Sequence, residues 1–202
     1  MGTPLYISFA TKNTPYIDVL EKGLVPSLKQ FNLSHCISHI EGRGNWWLNT
    51  QLKTQFIYDM LTVHKRPVVF LDADAKVVQQ PVIFDNLQDY DLAFHNLDFH
   101  LFWHGKRGNK KREPLTGTLY VNYTEQSLSL LNIWIEENKK HPERTDMENF
   151  QTALSLCPNL KIFQLPIEYV AIVGRDKITP YHIRNPIIIQ YQVSRTLRRK
   201  VT

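Results

Sequence analysis

The chain has 202 residues, 43% of them hydrophobic and 21% charged, with a formal net charge of +5. Its length allows a sizeable core, and this balance is that of a globular chain and excludes a disordered one. Two cysteines, Cys36 and Cys157, exclude a disulfide framework, and the positive excess favours anionic partners.

Leu5 to Ala10 reads as a first strand. Thr14-Pro15 reads as the start of a helix carried by Ile17, Leu20, Leu24 and Leu28, kinked near Gly23 and Pro26. Cys36 to Ile40 is a second strand. After the Gly42-Arg-Gly-Asn45 loop, Asn49 or Thr50 caps a helix to about His64, with Leu52, Phe56, Met60 and Val63 inward. Val68 to Leu71 and Asp91 to His95 are strands, and Leu115 to Asn122 is extended. Thr124 opens a helix to about Asn138, with Leu128, Leu131 and Ile135 inward. Thr145-Asp-Met-Glu148 is a capping box that starts a helix to about Leu156. Ile162 to Leu165 and Ile187 to Tyr191 are late strands. Strands alternating with helices predict one α/β domain over 1–202 with a mostly parallel sheet. No leader opens the chain and no stretch is long and apolar enough to span a bilayer, so a cytoplasmic protein is expected.

Asp72 and Asp74 follow directly on the apolar run Val68–Leu71. Strand side chains alternate, so the two carboxylates point the same way at the strand's C-terminal end, where open α/β sheets bind ligands. Their mutual repulsion suits a hard divalent cation, which can bridge a diphosphate. Asp is common in ordinary turns as well. The buried strand before this pair and the small Ala73 and Ala75 set it apart. His35, Cys36, His39, His95, His100 and His104 lack the spacing of a zinc site.

Several blocks taken together resemble the GT-A class of nucleotide-sugar glycosyltransferases, in particular its compact bacterial and phage members. They are Leu5-Tyr-Ile-Ser-Phe-Ala10-Thr11, Trp46-Trp47-Leu-Asn-Thr-Gln-Leu-Lys53, Val69-Phe-Leu-Asp72-Ala-Asp74, Thr116-Gly117-Thr118-Leu-Tyr-Val-Asn122, Thr145-Asp146-Met-Glu-Asn149 and Gln190-Tyr-Gln-Val-Ser-Arg195. The resemblance implies a Rossmann-like GT-A fold, with a sugar moved from a nucleotide diphosphate, such as a UDP-sugar, to an acceptor hydroxyl. It places Ala10, Thr11, Trp47, Lys53, Gly117, Thr118, Asn149 and Arg195 at the substrates. Mn²⁺ or Mg²⁺ would be held by Asp72, Asp74 and Gln190, with Asp72 also reaching the donor. Gln190 departs from the family's usual His, and His182 is the substitute ligand to consider. Lys53, Arg195 or Lys200 could add positive charge at the diphosphate. Asp146 is the expected base if configuration inverts. A retaining reaction needs no carboxylate there.

His104 to Arg112 holds five Lys or Arg, and Arg195 to Lys200 four more. These segments suit a polyanion, either a phosphate-bearing glycan or hydroxymethylated DNA as acceptor, and so a role in DNA modification. A nucleotidyltransferase is the alternative enzyme, but Ala10–Thr14 lacks its glycine-rich loop. A non-catalytic nucleic-acid-binding module would leave Asp72 and Asp74 without a role.

Overall fold

The computed structural model describes residues 3–98, 101–102, 112–173 and 183–197. Its strands are β1 (Leu5–Thr11), β2 (His35–Ile40), β3 (Val68–Leu71), β4 (Ala75–Val77), β5 (Leu92–Asp98), β6 (Arg112–Val121), β7 (Ile162–Gln164), β8 (Ala171–Ile172) and β9 (Ile188–Gln190). Its helices are α1 (Tyr16–Val19), α2 (Val25–Gln30), α3 (Trp46–His64), α4 (Glu125–Lys140), α5 (Asp146–Ser155) and α6 (Ser194–Leu197). The main sheet runs β2-β1-β3-β6-β5-β7, and a smaller one runs β4-β9-β8. In the main sheet β1–β2, β1–β3 and β5–β7 are parallel, while β6 runs antiparallel to both β3 and β5. The fold is thus the expected mixed, mostly parallel α/β sheet with flanking helices.

Alternation along the central strands builds two cores. Val68 and Phe70 of β3 face the layer of α3, α4 and α5, while Val69 and Leu71 face that of Leu20, Leu24 and α2. A strand covered on both faces reads as an unbroken apolar run, which is why β3 is so plain in the sequence. From β1 the chain moves outward to β2, then returns past β1 to β3. That reversal opens a crevice beyond the C-terminal ends of β1 and β3. Asp72 occupies the β3 side of it.

Several boundaries differ from the sequence reading. Asn45, not Asn49 or Thr50, caps α3, and its side chain accepts from Leu48 N. On α3 the expected Leu52 and Phe56 are buried, joined by Ile57 and Leu61, whereas Met60 is half-buried and Val63 is 73% exposed. In α4 the buried apolar residues are Leu130, Leu131 and Trp134, with Leu128 and Ile135 on the flank. Thr14 makes no cap, since its hydroxyl donates to Thr11 O. The kink expected near Gly23 and Pro26 is a π-helical turn over Leu20–Leu24, which absorbs the proline's missing N–H. β4, β8 and the second sheet went unread because such short segments carry no periodicity, whereas the equally short β7 and β9 could be read from their apolar runs.

Polar side chains fix α3 and α5, which line the site, to each other and to α4. Asn138 of α4 donates to Thr54 Oγ1 of α3 at 3.0 Å and accepts from Asn149 Nδ2 of α5 at 2.9 Å. Gln51 Nε2 donates to Pro142 O and Arg144 O, holding the segment before α5. Trp134 Nε1 donates to Asp146 O at 2.9 Å. Asn138→Ala should therefore orphan buried partners on both neighbours. The expected loss is about 2 kcal/mol, a Tm fall of roughly 4–8 °C by thermal melting.

Candidate active site

The crevice is a cleft of about 310 Å³. Ala10 and Thr11 bring the end of β1 to it, and Asp72, Ala73 and Asp74 the turn after β3. Thr116 and Gly117 come from β6, Asp146 and Met147 from the start of α5, and Gln190 from β9. One stripe of α3 (Trp46, Asn49, Thr50 and Lys53) forms a further wall.

Lys53 is the centre of this arrangement. Its Nζ lies 2.8 Å from Asp146 Oδ2, 3.1 Å from Asp72 Oδ1 and 3.0 Å from Thr116 Oγ1. Thr116 Oγ1 in turn donates to Asp146 Oδ2 at 3.0 Å. The ammonium also stands 5.2 Å from the centroid of Phe70, a favourable cation–π position. Burial opposes the charge on Lys53, but Asp146 and Asp72 outweigh it and its pKa is raised. The lysine thus binds two carboxylates from different elements into one unit, rather than standing free for a diphosphate.

The turn Asp72–Ala75 is set by Ala75 N donating to Asp72 O, and Asp72 N donates to Gly117 O, both at 2.9 Å. Asp74 Oδ2 accepts from Val193 N at 2.8 Å, and Asp74 O from Tyr191 N at 3.2 Å. Gln192, between those two donors, has φ 53°, the left-handed turn that lets both reach Asp74. Antiparallel pairing of β4 with β9 sets Gln190 opposite Ala75. Burial raises the pKa of both aspartates, and Asp72's charge helps bring Asp74 to about 6.

Gly117 supplies a test of whether these residues suit a cation. A Cβ there would stand 3.0 Å from Asp72 Oδ2 and 3.2 Å from Gln190 Oε1. The two oxygens thus converge on a space that only glycine leaves open. Gln190 Nε2 is spent on Gly117 O and Thr118 Oγ1, which turns Oε1 towards that space. An all-oxygen set suits Mg²⁺ or Mn²⁺. Among the described residues no three His, Cys, Asp or Glu cluster as a metal site, so Gln190 has to be counted for the set to be complete.

Not every sequence candidate lines the cleft. Thr118 is buried behind Gln190. Asn149 is fully buried between α4 and α5, donating to Asn138 Oδ1 and His141 O. Trp47 points outward, 44% exposed, and its neighbour Trp46 takes the cleft side. Arg195 is exposed on α6, outside the lining. His182, His104 to Lys111 and Lys200 lie outside the described residues. Of the lining residues, Lys53 was expected, whereas Thr116 and the rest of its stripe, Trp46, Asn49 and Thr50, were missed. A helix start at Asn45 would have revealed that stripe, since 46, 49, 50 and 53 then share one face.

No protein-family model matches the chain, and no curated protein does. Solved structures do. A glycosyltransferase involved in glycosylating the major capsid of PBCV-1 superposes with TM-score 0.70 at 13% identity, covering 98% of each chain. The galactosyltransferase LgtC, solved with donor and acceptor sugar analogues, matches 93% of this chain and 87% of its own at TM-score 0.54 and 13% identity. Mouse xyloside xylosyltransferase 1 matches 94% and 97% at TM-score 0.53 and 12% identity. The chain has the fold of GT-A-type glycosyltransferases. Among the described residues no helix is long and apolar enough to cross a membrane.

Two outcomes follow from the geometry. Gly117→Ala should leave the protein folded and, where Asp72 Oδ2 and Gln190 Oε1 hold a cation as proposed below, weaken Mn²⁺ binding at least about tenfold by calorimetry, because its Cβ displaces one of those oxygens. Asp74→Asn should stabilise the metal-free protein. The Asp74 pKa is above its ordinary value of 3.8, so the native carboxylate costs stability above about pH 6. That cost shrinks as pH falls and is gone below the ordinary value. The gain should be about 1 kcal/mol at pH 7, ~2–4 °C in Tm, and vanish by pH 3.5.

Proposed function

We propose that this protein is a divalent-metal-dependent glycosyltransferase that moves a sugar from a nucleotide diphosphate to an acceptor hydroxyl. The observation that carries the reading is the Lys53–Asp72–Asp146 unit at the β1/β3 crevice of a GT-A fold. The cleft holds three carboxylates, Asp72, Asp74 and Asp146, against the single ammonium of Lys53 among its described lining residues. A donor diphosphate would be repelled there without added positive charge. Asp72 Oδ2, Asp74 and Gln190 Oε1 are the groups that would hold the metal. Bound there, it would act as a Lewis acid on the leaving diphosphate.

The chain's own residues then divide the remaining work. Lys53 fixes the spacing between Asp72 and Asp146, so donor and acceptor ends of the cleft stay in register. Lys53 and Thr116 occupy Asp146 Oδ2, while Oδ1 accepts no hydrogen bond among the described residues. Oδ1 is the atom assigned to the reacting hydroxyl. Trp134, bonded to Asp146 O, keeps that carboxylate in place from behind. Ala10 and Thr11 are assigned to the nucleotide, and Ala73 and Gly117 leave room for the sugar and diphosphate.

The test is hydrolysis and transfer across UDP-, GDP- and CMP-sugars, with and without Mn²⁺. One donor should turn over, EDTA should abolish the rate and Mn²⁺ restore it. Asp72→Asn and Asp74→Asn should each cost roughly 10²–10³-fold. Asp146→Asn should slow transfer to a similar degree but leave donor affinity nearly unchanged. Failure of the folded protein to bind any donor would overturn the proposal.

A further inference from the structure

We infer that Trp46 and Asn49 form an acceptor subsite for a neutral carbohydrate, one sugar unit beyond the reacting hydroxyl. This rests on the transferase reading above. Trp46, Asn49, Thr50 and Lys53 fall on one face of α3 and all line the cleft. The stripe ends at Lys53, which grips Asp146. Trp46 begins it two turns earlier, about 10 Å along the helix axis. A chain that offers its terminal hydroxyl to Asp146 and runs along α3 brings its second ring to Trp46.

The groups at that end match a sugar ring. Trp46 is packed edge-to-face with Trp47, centroids 4.9 Å apart and rings at 74°, which fixes the indole at the cleft wall. Indole faces suit the apolar C–H face of a pyranose. Asn49 is only 9% exposed, and its Oδ1 accepts from Arg43 N at 2.6 Å. That bond sets the amide orientation. Asn49 lines the cleft, and its Nδ2 makes no hydrogen bond among the described residues and is not among the buried unpaired atoms, so it is a solvent-accessible donor on a lining residue. A ring stacked on Trp46 would place its hydroxyls within reach of that donor. Charge selects for a neutral ligand: Lys53 is the only cation among the described lining residues, and Asp72 and Asp146 already hold it. An acceptor carrying phosphate at this wall would face carboxylates with no free partner among the described lining residues.

The probe is a printed panel of neutral and phosphorylated mono- and oligosaccharides, with labelled transfer from the donor that the wild type hydrolyses. Donor Kd is measured by calorimetry alongside. Transfer should favour neutral acceptors of two or more units. In Trp46→Ala the KM for these should rise roughly tenfold, with Trp46→Phe restoring most of the loss. Asn49→Asp keeps the acceptor for Arg43 N but loses the amide donor, and should raise the same KM. Donor Kd should stay within about twofold throughout. Three results would each overturn the inference: transfer to phosphorylated acceptors only or to none, an unchanged KM in Trp46→Ala, or a donor Kd that rises with the KM. The last would assign Trp46 to the nucleotide. A wild type that hydrolyses no donor would count instead against the transferase reading.

Discussion

One buried ammonium holds the site together. Lys53 is shared between Asp72 on the turn after β3 and Asp146 at the start of α5. Without it, two carboxylates from separate elements would face each other in a partly desolvated cleft. Burying three charges is expensive, and the ion pairs repay that only if geometry and further hydrogen bonds are good. Thr116 supplies such a bond by accepting from Lys53 and donating to Asp146. The unit still carries one net negative charge, and Asp74 adds another. That surplus is the basis of the proposal that the cleft takes a cation.

The rest of the fold positions these three groups. Asp72 is placed by β3, which is gripped on both faces and tied at its end to Gly117 O. Lys53 is placed by α3, whose inner residues Phe56, Ile57 and Leu61 pack on the sheet. Asp146 is placed by a capping box, in which Thr145 Oγ1 accepts from Glu148 N and Glu148 reaches back to Thr145 N. Asn138 and Gln51 then lock α3, α4 and the approach to α5 together. An error in any of these supports moves a carboxylate relative to the lysine.

Legibility in the sequence followed local pattern. β3, the capping box and the Asp72/Asp74 pair could be read because periodicity and capping chemistry are local. The shared role of Lys53 could not, since it depends on contacts to residues 19 and 93 positions away. Trp46 and Trp47 are adjacent and chemically identical, so only the helix phase distinguishes them. That phase was misjudged because Asn49 and Thr50 are plausible caps as well. Asn149 misled for a similar reason: one turn from Thr145, it belongs to the buried side of α5 and bonds to Asn138.

Gln190 stands where the resemblance leads one to expect a His, and its surroundings make that difference intelligible. An imidazole can be lost as a ligand by protonation, whereas an amide oxygen stays neutral throughout the ordinary pH range. Its orientation is fixed, because Gly117 O can only accept and therefore demands the Nε2 end of the amide. With Oε1 so aimed, the third position offers a hard oxygen rather than a nitrogen. As the proposed donor set, Asp72, Asp74 and Gln190 would favour Mg²⁺ or Mn²⁺ over Zn²⁺. Gly117 is what lets the Gln190 amide oxygen stand close to Asp72. A side chain there would separate the amide oxygen from Asp72, so the glycine and the glutamine function as a pair.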